Sequence, residues 1–451
     1  MEIMVRDWFR HAKLGIFMHW GIYAVDGITE SWSFGQGSIS YEEYMKQLDG
    51  FTASKYDPKK WAKFFKEAGA RYAVLTTKHH DGVSLADTEH TDLNVAKRTP
   101  AGRDLLAPYC EALREEGLKV GFYFSNTDWS DVDNMRVILD KSEEEILAMR
   151  KEALDYNAMW TETCKIDKNE GTQNPAELEE MWARFMNRYR LGIRELMTRY
   201  GDIDVMWFDV MLTRKGFSWE PEKVREMIRE LNPDTMVNAR LEGYGDYETP
   251  ELYIPLRPLK EHWELCSTFN NSWGYRPQDV QYKDIRQIVR MLTACISKGG
   301  NLLISFGPTP EGEIPAVIEE KMRELGKWTH KYEEAVYPTE QGIAPEYFHG
   351  DSTLSGDGKT LYLFCHDKPN GFLLLNGIRN KTMKVTSLTN GRELTWTLTG
   401  GAPWLGMPGQ IWIEVQEADT DEICTVIKIE FEQPIDMIPC DEEKSSVGGA
   451  E

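Results

Sequence analysis

The chain of 451 residues carries 74 Asp and Glu against 52 Lys and Arg, a net charge of -22, which excludes partners that demand basic patches, nucleic acid and anionic membrane surfaces among them. Its length exceeds what one ordinary core fills and predicts about two to three domains. The seven cysteines are scattered, odd in number and free of any C-x-x-C pair, which excludes a disulfide framework and a cysteine zinc site.

The N-terminus, MEIMVRDWFRHAKLG, is charged and amphipathic and lacks the apolar run and small-residue cleavage site of a signal peptide. No stretch reaches about 18 uncharged apolar residues. A cytoplasmic protein with no membrane partner is expected, with a leader trimmed from a longer precursor left open. From there to residue 337 short apolar runs alternate with helical patterns. The runs are 14–20, 72–77, 119–125, 203–209, 235–240, 263–268 and 301–307. Continuous apolar runs of this kind read as parallel strands buried on both faces. Helices are predicted over 57–70, 102–117 and 178–199, and the polar stretch 165–177 reads as a loop. No G-x-G-x-x-G follows the first strand, which weighs against a dinucleotide fold. Seven or eight strand–helix units predict an α/β fold, a (β/α)8 TIM-like barrel over 1–337.

Residues 338–438 change character. Six short β-like runs appear, with Asn-Gly pairs at 370–371, 376–377 and 390–391. Asn-Gly between apolar strands signals a hairpin, so a C-terminal antiparallel β-sandwich is expected. The polar tail, 439–451, reads as disordered.

Barrel enzymes carry their chemistry where strands end. The ends here hold His19, the pair His79 and His80, Tyr123, Asp209 and Arg240, and the sixth run carries Glu264. Asp209, directly after Met-Trp-Phe, is the sharpest signal: a nucleophile, a metal ligand or a positioning group, the plainer reading being a helix cap or loop carboxylate. A metal site needs convergent ligands such as His19, His79 and Asp209, but barrel metal sites draw on an H-x-H pair and none occurs. No metal and no cofactor is therefore expected, and the histidines fit better as donors to sugar hydroxyls or as buried structural groups. Gly299-Gly300-Asn301 and Gly307-Pro308 lack a following G-K-[ST] and read as tight turns, not a phosphate cradle. Trp32, Trp273 and Tyr275 lie in loops and suit stacking on a sugar, though each alone is more often packing.

These segments resemble the retaining α-L-fucosidases of glycoside hydrolase family 29. The resemblance runs from about Trp8 to Pro338 and rests on WFRHAKLGIFMHWGIYAV, ESW, TTKHHDG, TPAGRDLL, MWFD, VNAR, TPELYIP, WELCSTFNNSWGY and SKGGNLLISFGP. It implies an exo-acting enzyme that removes terminal α-L-fucosyl residues from fucosylated oligosaccharides or glycoconjugates by double displacement. Asp209 falls on the family's nucleophile. His19, His79 and His80 fall on sugar-hydroxyl ligands, Trp32 on a pocket wall, Tyr123 nearest a family tyrosine, and Arg240 on a pocket arginine. Trp273 joins them as a binding residue. The acid/base varies in position within the family; the TPELYIP segment favours Glu251, with Glu264 next and Glu248 third. Double displacement needs the two carboxyls about 5–5.5 Å apart and an acid that keeps its proton. The chain departs from the family at Val83 and Ala86, where Phe and Trp are usual, at Val210 for Gly, Phe124 for Tyr and Ser305 for Asn. Loss of bulk at Val83 and Ala86 is expected to reshape the pocket and bears on the sugar accepted, an α-L-galactoside differing from a fucoside by one hydroxyl. A silent sugar-binding barrel and a metal-dependent hydrolase are the competing readings; oligomeric state and linkage preference stay open.

Overall fold

The computed structural model describes residues 5–211 and 213–439; the expected disordered tail lies, from residue 440 on, outside the described residues. Seven parallel strands form one sheet: β1 (Leu14–Met18), β2 (Tyr72–Lys78), β3 (Lys119–Ser125), β4 (Val205–Asp209), β5 (Met236–Val237), β6 (Trp263–Thr268) and β7 (Gly300–Phe306), in the order β5-β4-β3-β2-β1-β7-β6. Each predicted apolar run overlaps one of them. The strands are buried on both faces, and the two faces belong to different cores. Leu14, Ile16, Met18, Met206 and Phe208 join the large cluster under the helices, whereas Phe17, Val205 and Trp207 join a smaller inner cluster with Tyr123, Cys266 and Leu303. The strand period of two sorts the side chains this way.

The curled sheet is edged by β5 and β6, and residues 246–252 run between them. Asp246 and Glu248 donate backbone N–H groups to Val237 and His262 (2.6 and 2.9 Å), and Cys266 and Leu252 exchange bonds with this segment and β6 (Cys266 to Pro250 3.1 Å, Leu252 to Cys266 3.0 Å). Among the described residues no helix intervenes between β5 and β6, so the expected strand–helix alternation lapses there.

The predicted helices appear as Pro58–Glu67, Leu106–Glu115 and Pro175–Arg199. The last begins earlier than expected and shortens the predicted loop 165–177. Asn174 caps it, accepting from Ala176 N–H at 3.0 Å, and Pro175 fills the first turn, where its missing N–H is harmless. Three short helices, Val132–Leu139, Glu143–Met149 and Tyr156–Thr163, occupy the stretch after β3.

Beyond the sheet and the helix Ala316–Lys331, the chain forms β8 (Thr339–Gln341), β9 (Asp351–Ser355), β10 (Thr360–Cys365), β11 (Gly371–Leu375), β12 (Thr382–Ser387), β13 (Trp396–Thr399), β14 (Gln410–Val415) and β15 (Thr425–Phe431). They make two antiparallel sheets, β12-β15-β10-β9-β8 and β11-β14-β13, whose apolar side chains share one cluster. Two of the three Asn-Gly pairs do not make hairpins. Asn370-Gly371 and Asn376-Gly377 sit at either end of β11, where the chain leaves one sheet and returns to it. Only Asn390-Gly391 turns a local pair, with Leu394 N–H bonded to Val385 O at 2.8 Å. Tyr362, Phe364, Cys424 and Val426 join the large cluster, and the Trp328 indole donates to Cys424 O at 3.2 Å, so the five-stranded sheet packs on the helix layer.

Candidate active site

Alternation along β4 decides where Asp209 points. Val205 and Trp207 face the inner core, so Asp209, two residues on, faces inward at the mouth. The next residue, Val210, ends the strand with φ at 51°, a left-handed conformation uncommon for a β-branched side chain. Its N–H turns back to Asp209 Oδ1 at 3.1 Å.

Asp209 is held from both sides. Arg240 Nη1 donates to Oδ1 at 2.7 Å, and the Tyr123 hydroxyl donates to Oδ2 at 3.0 Å. Arg240 Nη2 donates to Glu251 Oε2 at 2.6 Å and Nε to Thr249 Oγ1 at 3.2 Å. One guanidinium thus bridges two carboxylates, which its planar fork of donors permits. Its carbon lies 4.6 Å above the Trp207 ring, and Tyr123 stacks on the same indole at 5.6 Å. Burial works against the charge on this guanidinium, but Asp209, with Cys266 and Glu251 beside it, outweighs the burial and holds it firmly protonated.

Three histidines share one device. The Nδ1 of His19 bonds Ser305 Oγ (2.9 Å), that of His79 bonds Ser31 Oγ (2.5 Å), and that of His80 bonds Ser125 Oγ (2.6 Å). Each ring is fixed through one nitrogen, which leaves the other for a ligand. His80 Nε2 is buried, finds no hydrogen-bond partner among the described residues and lies 3.9 Å from Asp209 Oδ2. Burial, with neighbouring charge second, pushes His80 down to about 3 and His19 and His79 well below the ordinary histidine value, so all three are neutral hydrogen-bonding groups.

These groups surround a cavity of about 280 Å³. Of the ten residues predicted, eight line it: Asp209, Glu251, His19, Trp32, His79, Tyr123, Arg240 and Trp273. His80 stands just behind the wall, against Trp32 and Trp129. Glu264 does not reach the cavity. It is 0% exposed, sits on β6 two residues before the lining Cys266, and accepts from the Trp207 indole at 3.0 Å and from the Tyr72 hydroxyl. Burial pushes its carboxyl up to about 7. The Glu251 side chain, by contrast, is 41% exposed at the mouth. Glu248 and Tyr275 are not in the lining.

Sequence reasoning missed Glu30, which lies inside the quoted ESW segment. It lines the cavity, accepts from Gly274 N–H at 2.6 Å, and is pushed up to about 7 by burial. Sequence reasoning also gave the three serines no role behind the histidines; Ser125 is the β3 register partner of Asp209, a signal that strand alignment carried. Gly307 is no phosphate cradle: a Cβ there would meet Tyr275 N at 1.8 Å, so glycine is what lets the loop bearing Trp273 lie against the end of β7. Val83 and Ala86 do not themselves line this cavity: both are buried, and Ala86 lines a separate one of about 710 Å³. The departures that touch the site are Val210 and Ser305. Among the described residues no group of three or more His, Cys, Asp or Glu side chains is arranged to hold a metal ion, and no helix is long and apolar enough to cross a membrane.

A pocket of one-ring size with neutral imidazoles, indole walls and two carboxylates joined by an arginine suits glycosyl transfer. Comparison with known proteins agrees. A family model described as alpha-L-fucosidase matches residues 2–334. The alpha-L-fucosidase of Branchiostoma floridae is 28% identical over 433 residues, covering 88% of this chain and 87% of the relative. The tissue alpha-L-fucosidase of Homo sapiens is 26% identical over 423 residues, covering 86% and 82%. Among solved structures, alpha-L-fucosidase isoenzyme 1 from Paenibacillus thiaminolyticus superposes with a TM-score of 0.79 at 32% identity, covering 94% of this chain and 98% of that one. A family 29 fucosidase of Bacteroides thetaiotaomicron, trapped as a covalent intermediate with 2-fluoro-fucosyl fluoride in a glutamate-to-glutamine mutant, gives a TM-score of 0.78 at 26% identity, covering 94% and 95%. This chain belongs to the α-L-fucosidase family, glycoside hydrolase family 29.

Proposed function

We propose that the protein is an exo-acting, retaining α-L-fucosidase that removes terminal α-L-fucosyl residues from fucosylated glycans. The observation that carries the reading is the Arg240 bridge, 2.7 Å to Asp209 and 2.6 Å to Glu251, at the mouth of a 280 Å³ pocket. A pocket that size holds one sugar ring, which suits attack on a chain end.

In the first step an Asp209 oxygen attacks the anomeric carbon while the bond to the leaving oxygen breaks. Glu251, as the carboxylic acid, passes its proton to that oxygen. Arg240 takes Oε2, so Oε1 is the atom free to face the leaving group. In the second step water attacks the same carbon, Glu251 takes the proton, and Asp209 leaves as a carboxylate. Asp209 loses its charge on becoming an ester. Arg240 then has Glu251 alone as counter-ion, which suits the base role of the second step. The imidazoles of His19 and His79, with Trp32 and Trp273, hold and orient the ring, and His80, behind the wall, keeps Nε2 3.9 Å from Asp209 Oδ2.

We further read the seven strands plus residues 246–252 as a closed eight-stave barrel forming a catalytic unit over 1–337, followed by a β-sandwich over 338–438. Backbone bonds on both sides of 246–252 and the shared core of the two antiparallel sheets support this.

The test is hydrolysis of 4-nitrophenyl α-L-fucoside and its α-L-galactoside analogue, with azide added to Glu251→Ala and Glu264→Ala. Fucoside turnover and azide rescue of Glu251→Ala alone are expected. No turnover of either substrate overturns the function, and rescue of Glu264→Ala instead overturns the acid/base assignment.

A further inference from the structure

Glu264 is a carboxyl group sealed inside the barrel, out of reach of the sugar pocket, yet tied to the pocket's floor. One oxygen accepts from the Trp207 indole N–H at 3.0 Å and the other from the Tyr72 hydroxyl. The Trp207 ring is the surface on which both holders of Asp209 rest: the Arg240 guanidinium lies 4.6 Å from its centre, and Tyr123 stacks at 5.6 Å with an interplanar angle of 20°. Phe17 closes the third side of the indole at 5.2 Å. The indole has one polar atom, so a single hydrogen bond sets how the ring tilts in its slot.

We propose that Glu264 is a positioning residue: by holding the Trp207 indole through Nε1, it fixes the floor on which Arg240 and Tyr123 aim the Asp209 carboxylate. This rests on the reading of Asp209 as nucleophile. A misplaced nucleophile slows attack on the anomeric carbon whatever the leaving group. Loss of the acid/base is felt most where the leaving oxygen needs a proton. The two roles are therefore separable.

Glu264→Leu removes the acceptor, Glu264→Gln keeps an acceptor oxygen for the indole, and Trp207→Phe removes the donor while keeping a ring. Each is compared with the wild type on 4-nitrophenyl α-L-fucoside and on a fucosyl-lactose, whose sugar leaving group needs protonation. Glu264→Leu is expected to lower kcat about 100-fold on both substrates with KM nearly unchanged, the scale of loss that small misplacements of reacting groups produce. Glu264→Gln restores most of it, azide does not, and the double variant that combines Glu264→Leu with Trp207→Phe is no worse than the poorer single one. Unchanged kcat in Glu264→Leu, or a loss confined to fucosyl-lactose and rescued by azide, overturns the proposal. A second readout needs no turnover: in protein labelled with ¹⁵N-tryptophan, the indole resonance missing from Trp207→Phe must shift in Glu264→Leu, which removes its acceptor. A resonance that ignores Glu264→Leu also overturns the proposal, whereas a wild type inactive on both fucosides sinks only the functional reading.

Discussion

The stretch that carries Asp209 and the stretch that carries Glu251 are built differently. β4 is a regular strand whose alternation puts Val205, Trp207 and Asp209 on one inner line. Residues 246–252 make isolated bridges to their neighbours, Asn238 with Tyr247 and Glu251 with Cys266, with no helix before or after to fix their register. Both end alike: the residue after each carboxylate is left-handed and not glycine, Val210 at φ 51° and Leu252 at φ 60°. Regular alternation aims a side chain without help, whereas an irregular segment needs an external clamp. Arg240 is that clamp, and it makes the placement of Glu251 depend on Asp209.

The largest expected effect is at the regular end. Asp209→Ala removes the nucleophile and should lower kcat by about 10⁴-fold or more on 4-nitrophenyl α-L-fucoside. A loss of only a few fold would mean that another group attacks. At the irregular end, Glu251→Ala should lower kcat/KM by about 10²- to 10⁴-fold, with the heavier loss on a fucosyl-lactose. Equal loss on both substrates would place the acid elsewhere. The clamp comes next. Arg240→Lys replaces a two-nitrogen fork with one ammonium that cannot serve both carboxylates in the same geometry, and a fall of about 10²-fold in kcat is expected. Near-wild-type turnover in this variant would break the comparison, because Glu251 would then be placed without Arg240.

A smaller effect is read from stability against pH. His80 is held neutral down to about 3, below the ordinary histidine value of 6.5. Between those values the unfolded chain binds a proton that the fold refuses, so stability is lost as pH falls below 6.5. Glu264 has the opposite sign: its carboxyl, raised to about 7 from 4.5, keeps a proton that the unfolded chain releases, so stability is lost as pH rises from 4.5 through 7. In thermal scans, His80→Asn should flatten the acid fall and Glu264→Gln the loss toward neutrality. Unaltered slopes in both variants would remove the assigned burial effects. The smallest effect sharpens the shared feature of the two ends. Val210→Gly and Leu252→Gly relieve left-handed strain and should each raise unfolding stability by about 1 kcal/mol. Destabilisation by either would show that the side chain's packing outweighs the strain.

The sequence is most legible where period and burial agree. β1 to β4, β6 and β7 are continuous apolar runs covered on both faces, and their inward polar ends, from His19 to Asp209, are readable as one converging set. Legibility fails where tertiary contact decides. Segment position alone ranks Glu251 ahead of Glu264, and only the fold shows that one stands at the mouth and the other beneath Trp207. The serines that fix the histidines come from distant loops and strand ends, Ser305 lying 286 residues from His19, so no local pattern announces them. Asn-Gly predicts hairpins at both ends of β11, but its backbone pairs with β14, far along the chain, and long-range pairing overrides the turn signal. At Asn174-Pro175 the helix start is written locally, in a capping residue and a first-turn proline, a signal that reading 165–177 as one polar loop overlooks.

Incubation with 2-fluoro-fucosyl fluoride, followed by proteolysis and mass mapping of the inactivated enzyme, tests the central claim most directly. The account predicts one 2-fluorofucosyl group, on the peptide MWFD and at Asp209. A label on Glu251, Glu264 or Glu30, or turnover that releases the inverted sugar with no covalent label, would contradict it.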